Sequence, residues 1–343
     1  MALKIGIGLF TAQIPAGSDR TFTQEYRETL DLVQLAEAVG FDSAWVSEHH
    51  GASDGYLPSL LTMLAAFAAV TERIGLGTGL ILTPLHDPIR LAEDAAVVDQ
   101  LSGGRLVVGL GLGWRDEEFR MFGIPMDRRV TRLLETVEVL RRAWMGQRFS
   151  FQGRAFSYDR VRVTPPPAQE GGPPIFLGGY HERALRRAGR LADGYMTDDT
   201  ALESLGSALG LVDEAARSAG RDPQTLGVAL FQNAFVRSDG DAWETIRPGA
   251  LHQWGSYDAW AEGQDTPEHD SLEPSGNETQ IHAASPAGTP DEVIRALRPT
   301  IDALSGRPLH LVVRLHYPGM DFATASRAVE LFAKEVIPAL KES

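Results

Sequence analysis

Short runs of branched or small apolar residues alternate with amphipathic segments along this chain, and this alternation restricts the fold more than any other feature. The first run is Lys4 to Phe10. The segment after it repeats apolar residues at helical spacing from Leu32 to Val39 and stops at Gly40, a residue type common just past a helix end. Strands alternating with helices in this way predict a parallel sheet covered by helices.

Eight runs are predicted to be strands, namely 4–10, 43–47, 74–82, 106–110, 175–178, 194–196, 226–236 and 309–315. Eight units favour an α/β fold of the (β/α)₈ TIM barrel type, since an open doubly wound sheet seldom needs eight regular repeats. Alternating residues predict a β-hairpin insertion over about 149–167, after the fourth unit. A segment poor in apolar periodicity, about 255–288, predicts a long lid loop between strands seven and eight of this single domain.

The composition disfavours several kinds of partner and site. The formal net charge of −14 would repel nucleic acids and anionic lipid surfaces. No cysteine is present, which excludes disulfides, thiolate nucleophiles, iron–sulfur clusters and cysteine-based zinc sites. The N-terminus does not have the pattern of a signal peptide, and the longest apolar run, Leu60 to Val70, is too short to span a bilayer. We therefore expect a cytoplasmic protein with no membrane segment.

Strand two ends in Glu48-His49-His50. Catalytic groups of TIM barrels lie at the carboxyl ends of strands, and histidine can hold or transfer a proton near neutral pH. The alternative is a pair of hydrogen-bonded surface histidines. The helical H-E-x-x-H spacing of many zinc enzymes is absent, so no metal site is predicted.

Glycine-rich strand ends are candidate cofactor contacts. Gly109 to Trp114 has glycine at every second position up to Gly113, and Gly75 to Leu80 has a similar pattern; both patterns fit either close approach to a flat ligand or barrel curvature. Strand five ends in Gly178-Gly179-Tyr180-His181 before a helix. Glycines that lead into a helix N-terminus favour a phosphate site over a simple turn.

Gly51-Ala52-Ser53-Asp54-Gly55 matches the nucleophile elbow of serine hydrolases. The elbow requires the serine directly between a strand and a helix, whereas predicted strand two ends several residues earlier and Pro58 delays the next helix. A hydrolase using Ser53 therefore remains a minor alternative.

These motifs together resemble the bacterial-luciferase-like flavin oxidoreductases. The likeness rests on Trp45-Val46-Ser47-Glu48-His49-His50, the strand over 74–82, Asp87-Pro88-Ile89-Arg90 and Leu101-Ser102-Gly103-Gly104-Arg105. It implies that His49, beside Glu48, is the catalytic proton-handling residue. It also implies that the strand-three residues Gly79 and Leu80 pack at the flavin ring, in some relatives through a cis peptide. We expect Thr78, directly before them, to contact the cofactor as well.

The resemblance also implies where the rest of the cofactor binds. It places Gly178, Gly179, Tyr180 and His181 around the phosphate, and we expect Gly111, Gly113 and Trp114 to lie against the ring. Many relatives have serine where this chain has Tyr180 and His181. Leu112 stands where luciferase has a phosphate-binding arginine, so Arg115 or backbone groups would replace it.

The function implied by the resemblance is oxygenation of a small organic substrate with reduced FMN and O2. The assembly it implies is a homodimer or a higher homo-oligomer, and the sequence leaves open whether a separate flavin reductase is a partner. Hydride transfer with a deazaflavin coenzyme is the alternative on the same fold, and a non-catalytic flavin-binding protein is a further one. His316 and Tyr317, at the end of strand eight, are equally compatible with facing the cavity and with packing.

Overall fold

The computed structural model describes residues 3–198, 201–263 and 278–342. The strands are β1 (Lys4–Phe10), β2 (Ser43–Val46), β3 (Gly75–Thr78), β4 (Ile81–Leu82), β5 (Leu106–Gly111), β6 (Phe149–Gln152), β7 (Ser157–Val161), β8 (Ile175–Gly178), β9 (Gly194–Thr197), β10 (Gly227–Asn233), β11 (Phe235–Val236), β12 (Ala287–Gly288) and β13 (Leu309–Arg314). The helices are α1 (Phe22–Val39), α2 (Leu60–Val70), α3 (Pro88–Ser102), α4 (Asp116–Met121), α5 (Arg129–Trp144), α6 (Glu182–Leu191), α7 (Leu202–Ser218), α8 (Ala242–Ala261), α9 (Glu278–Ala283), α10 (Pro290–Ala303), α11 (Phe322–Leu331) and α12 (Ile337–Lys341).

The main sheet closes on itself. Its order is β3-β2-β1-β13-β10-β9-β8-β5, and β3 pairs with β5 to complete the ring, with Leu76 opposite Leu106. Every pairing around this ring is parallel. The predicted (β/α)₈ barrel is confirmed, and the short strand β4 continues the third unit beyond β3 and pairs with the end of β5.

Small residues in the strands make room for one large side chain inside the barrel. Trp45 is fully buried there and packs with Phe176, Met196 and Val312. A Cβ atom on Gly77 would lie 2.2 Å from the Trp45 ring, so only glycine fits at that position. At least this glycine of strand three therefore serves internal packing of the barrel rather than contact with a ligand.

Local chemistry fixes the ends of the helices around the barrel. α1 ends at Gly40, which adopts φ +101°, a left-handed conformation that glycine accepts without strain. α3 begins with Pro88 after Asp87, whose carboxylate accepts the backbone N–H groups of Ile89 and Arg90. The first cap lies in the helix-to-strand turn before β2, at the amino end of the barrel, and the second lies in the strand-to-helix turn before α3, at its carboxyl end.

Two segments interrupt the strand–helix pattern. β6 and β7 form an antiparallel ribbon after α5, within the predicted insertion. The predicted loop over 255–288 is wrong at both ends, because α8 continues to Ala261 and α9 covers Glu278–Ala283; its central part, 264–277, lies outside the described residues. The loop-forming residue types at the start of that segment, Gly255, Ser256 and Asp258, lie inside α8, and Gly255 and Ser256 are buried.

Across the described ranges, no helix combines the length and apolar character needed to cross a lipid bilayer.

Candidate active site

The residues after β2 turn into the protein instead of toward solvent. Glu48, His49 and His50 are 2%, 4% and 7% exposed, respectively. Buried histidine and glutamate side chains require polar partners, because an unpaired buried charge is strongly destabilising. The partners of these three residues therefore define what each can do.

His49 is held at both ring nitrogens. Its Nδ1 lies 2.8 Å from Glu118 Oε1, and its Nε2 lies 3.2 Å from the Tyr257 hydroxyl. An ionised carboxylate only accepts hydrogen bonds, so Nδ1 donates to Glu118, and in the neutral ring Nε2 accepts from Tyr257. The arrangement leaves Nε2 as the nitrogen that exchanges a proton with its surroundings.

Glu118, which the sequence analysis missed, is the fixed carboxylate of this site. It lies on α4, is 1% exposed, and also accepts the His50 backbone N–H at 2.9 Å. The guanidinium of Arg115 lies 3.7 Å from the same oxygen and 4.1 Å from the Trp260 ring centroid. A run of acidic residues at the start of a helix, Asp116-Glu117-Glu118, was the available signal, but only the fold shows which one points inward.

Aromatic rings enclose His49. The centroids of Tyr56 and Trp260 are each 4.8 Å from the imidazole, and those of Tyr257 and Trp114 lie at 5.3 and 6.3 Å. The Tyr257 hydroxyl is also 3.2 Å from that of Tyr56. Burial raises the pKa of Tyr257 well above its usual value, so this phenol stays protonated at neutral pH and can relay a proton.

Glu48, predicted as catalytic, faces a different group. Its Oε1 lies 2.7 Å from His50 Nε2 and 2.9 Å from His86 Nε2, and its Oε2 accepts the Leu82 N–H at 3.3 Å. Burial by itself would raise the pKa of Glu48, but hydrogen bonds from the two histidines outweigh it and lower the pKa to about 2. None of these hydrogen bonds connects Glu48 to His49, so the position of Glu48 supports a structural role.

Glu48, His50 and His86 also have the spacing of a metal-binding set, with one ligand atom from each lying within 4.8 Å of the others. The sequence analysis did not identify the set, because His86 lies on the third unit. In the structure the two imidazoles already hydrogen-bond one carboxylate oxygen, which satisfies the buried charge without an ion.

A cavity of about 490 Å³ opens beside this site, at the carboxyl ends of the strands. Its wall combines aromatic and polar side chains with the backbone at the end of β1. The lining residues are Gly8, Leu9, Trp114, Asp198, Phe231, Gln232, Asn233, Gln253, Trp254, Tyr257, Asp258, Ala261, Ala284, Val312 and Arg314. Tyr257 lines the cavity and contacts His49, so the phenol connects the two.

Of the predicted ring contacts, Trp114 lines the cavity and is 41% exposed. Thr78 is fully buried, and its hydroxyl exchanges hydrogen bonds with the backbone of Gly109, which leaves it poorly placed to contact a cofactor. The Gly79–Leu80 peptide bond is cis, as the resemblance implied. A Cβ atom on Gly111 or on Gly178 would lie 2.8 Å from Leu80 Cδ1, so these glycines make room for Leu80.

Gly113 adopts φ +69°, and a Cβ atom there would lie 3.1 Å from the Phe119 ring. It therefore serves the turn from β5 into α4, which carries Glu118. Its predicted contact with a cofactor ring has no support from its surroundings.

The predicted phosphate residues lie at the start of α6. Gly179 adopts φ +140°, His181 is the N-terminal cap residue, and the exposed Tyr180 donates a hydrogen bond to Asp198 in the cavity wall. Arg115, the proposed replacement for luciferase's arginine, is 3% exposed and is already paired with Glu117 and Glu118. Arg115 therefore supports the His49 site, and backbone groups at α6 remain for a phosphate.

The surroundings of His316, Tyr317 and Ser53 argue against a role in the site for any of them. His316 and Tyr317 pack internally, with His316 Nε2 3.8 Å from Glu25 and the Tyr317 hydroxyl donating to the Ala234 carbonyl. Ser53 lies in an exposed turn between the end of β2 at Val46 and the start of α2 at Leu60, so the strand–serine–helix context of a hydrolase is missing.

Comparison with known proteins finds relatives that match nearly the whole chain. The chain is 30% identical to the F420-dependent glucose-6-phosphate dehydrogenase of Nakamurella multipartita, over 92% of this chain and 92% of that protein. It is 25% identical to the oxygenase component of the flavin-dependent trigonelline monooxygenase of Acinetobacter baylyi, over 98% and 95%.

Among solved structures, monooxygenase RslO1 from Streptomyces bottropensis is 28% identical and superposes with a TM-score of 0.82, covering 98% of this chain and 99% of that one. The family model for luciferase-like monooxygenases matches residues 4–304, which is most of the chain. This protein therefore belongs to the luciferase-like monooxygenase family.

Proposed function

We propose that this protein is a flavin-dependent monooxygenase that uses reduced FMN and O2 on a small organic substrate. The observation that carries the proposal is the chain of contacts from the cavity through the Tyr257 hydroxyl to His49 and on to the buried Glu118. A fixed carboxylate that sets the tautomer of a histidine is a common arrangement for proton transfer.

The cavity fits a flat heteroaromatic ring. Its volume of about 490 Å³ lies in the range of small-molecule sites, and Trp114 and Tyr257 stack with centroids 6.2 Å apart to form one wall. We assign the ring to this wall and the phosphate to the backbone of residues 179–181 at the start of α6. The hydrogen bond from Tyr180 to Asp198 joins that segment to the cavity wall.

When bound, reduced FMN supplies the electrons that activate oxygen. The chain's own residues do the rest: Trp114 and Tyr257 orient the ligand, and His49 takes or gives a proton at Nε2 through the Tyr257 hydroxyl. α8 contributes Tyr257 and Trp260 and covers His49, which excludes water from the proton path. Glu118 keeps the proton on Nδ1.

A deazaflavin-dependent hydride transfer is the second candidate, favoured by the 30% identity to the Nakamurella dehydrogenase over 92% of both chains. The two candidates differ in their need for oxygen. Our preference for FMN rests on the higher structural similarity to a monooxygenase, with a TM-score of 0.82.

The first experiment separates the two cofactors. Purified protein is titrated anaerobically with reduced FMN and, separately, with a reduced deazaflavin, while tryptophan fluorescence is followed. We expect saturable binding of FMN, and incorporation of label from ¹⁸O2 into the product when a panel of small organic compounds is supplied. Tight deazaflavin binding without FMN binding would select the second candidate, and binding of neither would refute both.

The second experiment tests the proton-transfer arrangement. Glu118→Gln keeps the size of the side chain but removes the charge that holds His49, and we expect product formation to fall by about 10- to 100-fold. Glu117→Gln is the matched control, because Glu117 contacts Arg115 from a partly exposed position and does not touch His49. FMN affinity should change little in either variant; equal activity of the two would contradict the assigned role of Glu118.

Partners and assembly are further proposals. The designation of the Acinetobacter relative as an oxygenase component supports a separate reductase that supplies reduced flavin. Exposed apolar side chains on the adjacent helices α3 and α5, namely Val97, Leu101, Val130 and Leu134, support a homodimer. Light scattering after size-exclusion chromatography tests the dimer, and cell fractionation tests the proposed cytoplasmic location.

A further inference from the structure

Arg314 is a buried cation in the wall of the cavity. It ends β13 and is 6% exposed. The polar residues Gln232, Asn233 and Gln253 line the same cavity and carry no charge. A guanidinium group presents several N–H donors in a planar fork that matches a carboxylate.

Within the described part of the chain, Arg314 forms no ion pair, and its side chain donates one hydrogen bond, to Gln253 Oε1. Each Arg314 nitrogen that lacks a hydrogen-bond partner is exposed to solvent, so these remaining donors are accessible to a ligand. Arg115, equally buried, has Glu117 and Glu118 as partners. A buried cation without a carboxylate partner, in the wall of a ligand cavity, is suited to bind an anionic group of the ligand.

The charge of Arg314 reaches the proton-transfer residues. Burial raises the pKa of Tyr56 and of Tyr257, and the nearby Arg314 acts against that rise in both phenols. An anion bound to Arg314 therefore lies near the hydroxyl that contacts His49. This position suits a substrate group better than a distant part of the cofactor.

The other charged residues in the cavity wall limit the negative charge that the bound anion can carry. Asp198 is exposed and Asp258 is partly exposed, whereas Arg314 is buried. Two acidic groups against one cation disfavour a dianionic phosphate but tolerate a single carboxylate that enters first and reaches Arg314.

We propose that Arg314 binds the carboxylate of a monoanionic organic substrate whose flat, unsaturated body lies in the same cavity, beside the flavin ring assigned to Trp114 and Tyr257. The inference rests on the proposed function for the reaction that follows binding, whereas binding of a carboxylate at Arg314 does not require that function. It defines the substrate class as small aromatic or unsaturated carboxylic acids.

The test uses the full-length, flavin-free protein and three probes: benzoate, its neutral analogue benzamide, and inorganic phosphate. Quenching of the tryptophans that line the cavity, Trp114 and Trp254, reports binding. We expect saturable benzoate binding, with benzamide and phosphate at least about tenfold weaker. Arg314→Gln should weaken benzoate binding by about tenfold or more, while the control Arg327→Gln, on α11, removes the same charge elsewhere and leaves binding unchanged.

Arg314→Lys keeps the inference testable if the glutamine variant does not fold. Lysine retains the charge but loses the planar fork, so benzoate should bind about threefold to tenfold more weakly. Equal binding of benzoate and benzamide, or benzoate binding that is unchanged in both Arg314 variants, overturns the proposal. Loss of FMN affinity in the variants, with phosphate competing as well as benzoate does, would identify a cofactor-phosphate site instead and also overturns it.

Flavin titration of the wild-type protein is a separate arm. Failure to bind any flavin would remove the proposed function, and the benzoate comparison would still decide the role of Arg314.

Discussion

Replacing Glu48 by glutamine should destabilise the protein by about 3 kcal/mol at pH 7. The carboxylate is buried with three donors around it, and its pKa is lowered from 4.5 to about 2. At about 1.4 kcal/mol for each tenfold change in proton affinity, that difference corresponds to about 3 kcal/mol. Glutamine keeps the shape, but its NH2 group must face a donor from His50, His86 or Leu82, where it cannot accept a hydrogen bond.

The pH dependence follows from the direction of the shift. Because the pKa of Glu48 is lower in the folded state, its ionised carboxylate stabilises the fold at pH values above the unfolded-state pKa of 4.5. This stabilisation is lost as the pH falls through about 2. The difference in unfolding free energy between wild type and Glu48→Gln should therefore have its largest value at pH 7 and decrease below about pH 4.5.

Calorimetry or urea unfolding measures this difference. For 343 residues, about 3 kcal/mol corresponds to a decrease in Tm of about 4 °C. Glu93→Gln is the matched control, because Glu93 is 44% exposed, pairs only loosely with Arg90 and should have a small effect. A loss below about 1 kcal/mol, or a difference that is as large at pH 3 as at pH 7, would refute the role assigned to Glu48.

Two further predictions concern the site and its glycines. Tyr257 should not ionise below pH 10, since burial raises its pKa well above the usual value. Comparing the absorbance at 295 nm of the wild-type protein and of Tyr257→Phe during a pH titration checks this. A tyrosinate signal that appears below pH 10 in the wild type and is lost in Tyr257→Phe would contradict it. Gly111→Ala should lower the free energy of unfolding by about 1–3 kcal/mol, because the added methyl group would lie 2.8 Å from Leu80 Cδ1. Gly206→Ala, in an open position of α7, should raise the free energy of unfolding by about 0.5–1 kcal/mol. Thermal unfolding compares the two, and equal Tm changes would show that Leu80 does not fill the space beside Gly111.

The predicted lid loop over 255–288 shows how far helical periodicity in a sequence can be trusted. Asp241 caps α8 and apolar residues follow at helical spacing, yet Gly255, Ser256 and Asp258 near its end have the composition of a loop. Tertiary packing overrides these local preferences: Gly249 lies so close to the Pro318 carbonyl that a Cβ atom would approach it to 2.7 Å. Favourable packing against the barrel offsets the unfavourable residues, and single-sequence patterns do not report it.

The sequence alone determined the barrel and the position of His49 at the end of strand two, because strand alternation and strand-end position are properties of neighbouring residues. It did not identify Glu118, Tyr257 or Arg314, which lie 69, 208 and 265 positions beyond His49. Only when the sheet closes do Glu118 and Tyr257 contact His49 and does Arg314 line the adjoining cavity. Glu48 and His49 are adjacent in the chain, but the folded backbone directs their side chains to different partners. The local sequence pattern thus set the position of each residue within its strand or helix. Long-range packing decided which side chains share a site, because contact across a closed barrel depends on the pairing of distant strands.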